Sequence, residues 1–129
     1  MAMLDQTPVQ IAWVTADLDA TEQALTSLLR ARRWVRMPAV HFSAETCSYR
    51  GRPADFVADI SLSYAGDTQL ELIAPVSGQS VYTEFLDRHG AGLHHICIEL
   101  PTCMRSTPNC GMPKATGHPW CAKARCREA

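Results

Sequence analysis

"DFVADISLSYAGDTQLELIAP", Asp55 to Pro75, is two runs of alternating side chains joined by a turn. In the first run Phe56, Ala58, Ile60, Leu62 and Tyr64 share one face, and Asp59, Ser61 and Ser63 take the other, the period-two pattern of a strand. "AGD", Ala65 to Asp67, carries the turn formers of a tight hairpin. The second run returns with Gln69, Glu71 and Ile73 on one face and Leu70, Leu72 and Ala74 on the opposite one. An antiparallel pair is expected, with a carboxylate in the middle of its second strand.

Upstream, "PVQIAWVT" (Pro8 to Thr15) also alternates. Gln10, Ala12 and Val14 fall on one face, and Val9, Ile11 and Trp13 on the other. "DLDATEQALTSLLRARR" then reads as a helix from about Asp19 to about Arg32. Asp19 and Glu22 have capping-box spacing, Leu18, Leu25, Leu28 and Leu29 form an apolar stripe, and arginines close the end where the macrodipole favours cations. "WVRMPAVHFSAETCSYRG" predicts an extended, irregular segment broken at Pro38 and ended by Gly51. Downstream of the hairpin, "SVYTEFLDRHG" predicts a short helix with Ser80 as N-cap and Gly90 as its stop.

A further strand opens in "GLHHICIEL", Gly92 to Leu100. Strict alternation puts His94, Ile96, Ile98 and Leu100 on a core face, and Leu93, His95, Cys97 and Glu99 on a face polar enough to line a cup. His94 then reads as structural and His95 as facing the cup. Cys47 and Cys97 read as small buried residues, and Tyr82 and Phe85 as core.

The 129 residues suffice for one domain, and a formal charge of −1 gives no general bias towards nucleic acid or membrane. No basic, apolar leader and no run of roughly 20 apolar residues occurs, so a cytoplasmic address is the default. The average hides a break near residue 100. Residues 1–100 carry seven arginines against twelve carboxylates, a formal −5, whereas 101–129 carry five basic residues against Glu128, a formal +4. Both lysines, four of the six cysteines and four of the eight prolines lie in 101–129, which contains no Leu, Ile, Val or Phe. Such a segment cannot offset its ordering entropy by burial.

The order β-α-β-β-β, a short helix and then "GLHH" resembles the vicinal oxygen chelate superfamily of glyoxalases, epimerases, extradiol dioxygenases and bleomycin-resistance proteins. The pieces "DTQLELIAP" and "EFLDRHGAGLHHICIEL" together look most like its methylmalonyl-CoA epimerase branch. The resemblance covers roughly residues 8–100. It implies an α/β (α+β) fold in which a βαβββ module with a curved mixed sheet pairs with a second module to form a cup around a divalent metal. Three ligand positions are matched: Gln10 at the start of the first strand, Glu71 in the last strand of the module, and His95 in the strand opening the next.

An amide oxygen, a carboxylate and an imidazole suit Zn²⁺, Co²⁺, Ni²⁺ or Mn²⁺. The resemblance implies metal-dependent isomerase or lyase chemistry through an enolate-like intermediate, on an acyl-CoA or, as in glyoxalase I, a glutathione adduct. Dioxygenases of the family have His where this chain has Gln10, which argues against Fe(II) oxygen chemistry. A metal-free binding protein of the bleomycin-resistance kind is the alternative from another class. The resemblance, with the rim of the sheet left open, implies a homodimer.

The family's fourth ligand, a Glu that in several members is also the base, has no counterpart after Leu100, so the catalytic residue is not assigned. A helix and three strands would need more than about 40 residues, and 29 follow. The expectation is therefore a domain over 1–100 and an irregular tail over 101–129, translated out of frame or completing its cup with a partner chain. A zinc knuckle from Cys103, Cys110, Cys121, Cys126 and His118 is disfavoured, because their spacing lacks paired C-x2-C. In either case the chain by itself would have weak activity or none.

Overall fold

The computed structural model describes residues 7–98. Glu99, Leu100 and the expected irregular segment 101–129, with its cysteines, lie outside the described residues. The elements run β1 (Gln10–Val14), α1 (Leu18–Leu29), β2 (Val35–Phe42), β3 (Ser48–Tyr49), β4 (Arg52–Pro53), β5 (Phe56–Ala65), β6 (Thr68–Ser77), α2 (Val81–His89) and β7 (Gly92–Cys97). β3 and β4 form a small hairpin of their own. The other strands make one curved mixed sheet in the order β2-β5-β6-β1-β7. The fold is thus the expected βαβββ module, followed by a helix and the next strand.

The Asp55–Pro75 reading holds closely. β5 and β6 pair antiparallel from Ala65↔Thr68 to Val57↔Ser77, and the turn passes through Gly66 at φ +59°. β1 lies parallel to β6, with Ala12 opposite Glu71 and Val14 opposite Ile73. β2 tolerates Pro38 because it is an edge strand, and it bulges between Met37 and Val40.

Both faces of the sheet are covered. On one, Ala12, Val14, Ala58, Ile60 and Ile73 pack with Phe42, Phe56 and Tyr82, under α2 and the β3–β4 hairpin. The Phe42 and Phe56 rings stack at 4.7 Å, and Tyr82 meets Phe56 edge-on at 5.9 Å. On the other face Leu70 and Leu72 are fully buried beneath α1, which contributes Leu25. Ser61 donates to Glu22 on α1 at 2.6 Å and Ser63 to the Arg32 carbonyl at 3.0 Å, while Asp59 accepts from the Ala39 amide. These three polar residues therefore join elements across the sheet.

The ends of α1 differ from expectation: it stops at Leu29 rather than at about Arg32, so no arginine lies in its last turn. Asp17, not Asp19, is the N-cap of α1, accepting from the Ala20 amide, and the helix closes at Arg30 with φ +51°. Asp19 and Glu22 instead hold Arg36 of β2, a tertiary ion pair that draws both carboxylates off the cap. Only Leu25 of the leucine stripe is buried, and Leu28 is 76% exposed. α2 is capped as expected by Ser80, which accepts from the Thr83 amide, and stopped by Gly90.

The largest correction concerns β7. Ala12 opposes His95, but the next residue, Trp13, opposes Leu93, so His94 is the extra residue of a β-bulge. The bulge brings His94 to the same face as His95 and turns Leu93 to the opposite one. Ile96 lies opposite Ile11, on the face away from His95 as alternation has it, but that face is not core at β7, where Ile96 and Ile98 are 48% and 49% exposed.

Candidate functional site

Register alone gathers the site. Across β6, β1 and β7, Gln69, Gln10 and Cys97 form one row, and Glu71, Ala12 and His95 the next. Side chains directly opposite one another point to the same face, so all six share it. Ala12, between Glu71 and His95 in its row, has only a methyl group there.

Gln10 and Glu71 are 2% and 3% exposed, so neither is a solvated surface residue. The Gln10 amide donates to Glu71 Oε2 at 3.1 Å and to Gln69 Oε1 at 2.7 Å. Its carbonyl oxygen accepts from the Cys97 thiol at 3.6 Å. On the β7 side, the Nδ1 atoms of His94 and His95 are 2.8 Å apart and their ring planes are 83° to one another. His94 packs against Tyr82 and Phe85 of α2 at 5.1 and 5.0 Å. Burial disfavours its charged form and lowers its pKa below the ordinary value.

The three expected ligands thus share one face and two adjacent rows. Their hydrogen bonds join them as a Gln10–Glu71 pair and a His94–His95 pair. Among the described residues no three His, Cys, Asp or Glu side chains are grouped so as to hold a metal ion. In kind, the donor set fits a borderline divalent ion. Gln69 and Cys97 were legible as face-mates of Glu71 and His95 from alternation, whereas His94 was not, because a bulge leaves no mark on a period-two pattern.

An open cleft of about 490 Å³ lies elsewhere, lined by Tyr49, Arg50, Arg52, Pro53, Ala54, Asp55 and Gln79 beside the β3–β4 hairpin. That hairpin is tied to α2, since Tyr49 and Arg50 both bond Glu84, which also meets Arg88. These partners, Arg50 foremost, hold the Glu84 carboxyl below the usual carboxylate range.

The sequence matches the family model of the glyoxalase/bleomycin resistance protein/dioxygenase superfamily over residues 9–126. The chain belongs to that superfamily. Among solved structures, a hypothetical protein from Bacillus halodurans is similar, with a TM-score of 0.50 and 16% identity over 78% of this chain and 63% of the other. That likeness concerns the fold. Methylmalonyl-CoA epimerase from Mycobacterium tuberculosis matches with a TM-score of 0.47 and 19% identity, over 76% of this chain and 58% of that one. A second structure of methylmalonyl-CoA epimerase matches with a TM-score of 0.41 and 20% identity, over 70% and 59%. The chain therefore spans about three-fifths of the length of these structures. No curated protein matches it. Among the described residues, no helix is long and apolar enough to cross a membrane.

Proposed function

We infer that this superfamily member acts on a small molecule over the face that carries Gln10, Glu71 and His95, with a divalent metal held by those three residues. The observation that carries the reading is the register that places all three on one face around Ala12. When bound, Zn²⁺, Co²⁺, Ni²⁺ or Mn²⁺ would supply Lewis-acid stabilisation of charge developing on a carbonyl or thioester oxygen. The chain's own part is to hold that oxygen next to a buried, water-poor donor set, where electrostatic interactions are strong.

The reaction class this suits is proton transfer beside a carbonyl through an enolate-like intermediate, as isomerases and lyases perform it. The resemblance of "DTQLELIAP" and "GLHHICIEL" favours an acyl-CoA substrate of the methylmalonyl type over a glutathione adduct. A cytoplasmic homodimer is the assembly that goes with this reading. Its test is solvent-deuterium exchange at the acidic carbon of an acyl-CoA and of a glutathione hemithioacetal, after loading with each metal. Metal-dependent exchange on the acyl-CoA supports the reading, and exchange on neither substrate with any metal overturns it.

The division of the donors into two pairs favours a second reading, a ligand-binding protein of the bleomycin-resistance kind that needs no metal. A well-folded protein that takes up no zinc or cobalt at equilibrium dialysis would select it.

A further inference from the structure

We propose that His94 is a positioning residue. It accepts the Nδ1 proton of His95 and so makes His95 Nε2 the lone-pair nitrogen, on the face that His95 shares with Gln10 and Glu71. This rests on the metal-binding reading above, and it adds to that reading a residue which alternation assigns to the core.

The bulge supplies the geometry. Because His94 is the extra residue between Leu93 and His95, its ring turns to the face of Ala12 rather than away from it. The ring is then held from outside, against Tyr82 at 5.1 Å and edge-on to Phe85 at 5.0 Å. Both belong to α2, which is anchored by the Ser80 cap and by the Glu84 contacts with Tyr49 and Arg50. With that ring fixed, His95 Nδ1 lies 2.8 Å from His94 Nδ1. Two imidazole nitrogens at that distance share one proton, so one donates and the other accepts.

A metal-ligating histidine generally gives its other ring N–H to an acceptor that fixes tautomer and orientation, most often a carboxylate, a carbonyl or water. In this chain a neighbouring imidazole stands in that place. With His94 accepting, His95 keeps its proton on Nδ1, and Nε2 carries the lone pair.

Zinc-loaded protein is the sample for the test, read by long-range ¹H–¹⁵N correlation of the histidine rings and by zinc affinity. The expected spectrum shows His95 protonated at Nδ1 and metal-bound at Nε2. His94→Phe, which keeps an aromatic ring against Tyr82 and Phe85, should lose about 10- to 100-fold in zinc affinity, and His94→Asn, whose amide oxygen can accept, should regain most of it. Metal-bound Nδ1 in the wild-type spectrum, or unchanged affinity in His94→Phe, overturns this proposal and leaves the metal reading intact. Wild-type protein that binds no zinc overturns both. The wild-type spectrum decides the matter even if a variant fails to fold.

Discussion

Gln10 on β1 gives one amide hydrogen to Glu71 on β6 at 3.1 Å and the other to Gln69 at 2.7 Å, so a single side chain holds a buried carboxylate in place. A buried carboxylate deprived of a donor keeps its desolvation cost without the compensating bond, a loss of about 1–3 kcal/mol. Gln10→Ala should therefore destabilise the fold by about that amount in urea unfolding at pH 7. It should also weaken zinc binding by isothermal titration. Unchanged stability would mean that the Gln10–Glu71 contact contributes nothing.

Gly78 and Gly66 both have positive φ, but only Gly78 is crowded. A Cβ at Gly78 would lie 2.4 Å from the Asp55 carbonyl oxygen and 2.8 Å from Phe56 Cα, and backbone cannot move aside as a side chain can. Gly78→Ala should cost more than about 3 kcal/mol, combining the clash with the φ penalty. Gly66→Ala, with open space at its Cβ, should cost only about 1–2 kcal/mol. Thermal melts of the two variants give the comparison, and equal losses would contradict it.

Glu22 sets an acid limit on the docking of α1. The Arg36 hydrogen bond, aided by Ser61, holds its carboxyl below the ordinary value of 4.5. A depressed carboxylate pKa gives stability that is fully present above the unfolded value and is lost as pH falls through the folded one. Solvent screening keeps the Arg36 part small, so Glu22→Gln should cost about 0.5–1 kcal/mol at pH 7. The gap from wild type should close as pH drops below about 4.5. Urea midpoints measured from pH 7 to pH 3 test this, and a gap independent of pH would refute it.

Among the described residues β7 pairs with β1 alone, which leaves its outer edge open beside the half-exposed Ile96. Open, apolar strand edges associate, and an inserted lysine is a common way to prevent it. If a homodimer forms through this edge, Ile96→Lys should shift sedimentation from dimer to monomer without loss of helix or strand signal. A variant that remains dimeric would place the interface elsewhere.

The sequence by itself determined the order of the main elements, though not the small β3–β4 hairpin, together with the β5–β6 hairpin, the cap and stop of α2, and the common face of Glu71 and Ile73 on their own strand. Each of these follows from local chemistry: a period of two, a glycine with positive φ, a serine that accepts from an amide two or three residues on. The tertiary structure decided what depends on partners. Asp17 rather than Asp19 caps α1 because Arg36, distant in sequence, claims Asp19 and Glu22. His94 joins His95 on one face because strand pairing absorbs one extra residue of β7 opposite Ala12 and Trp13. A bulge is a property of two strands in register, and no single strand's alternation contains it.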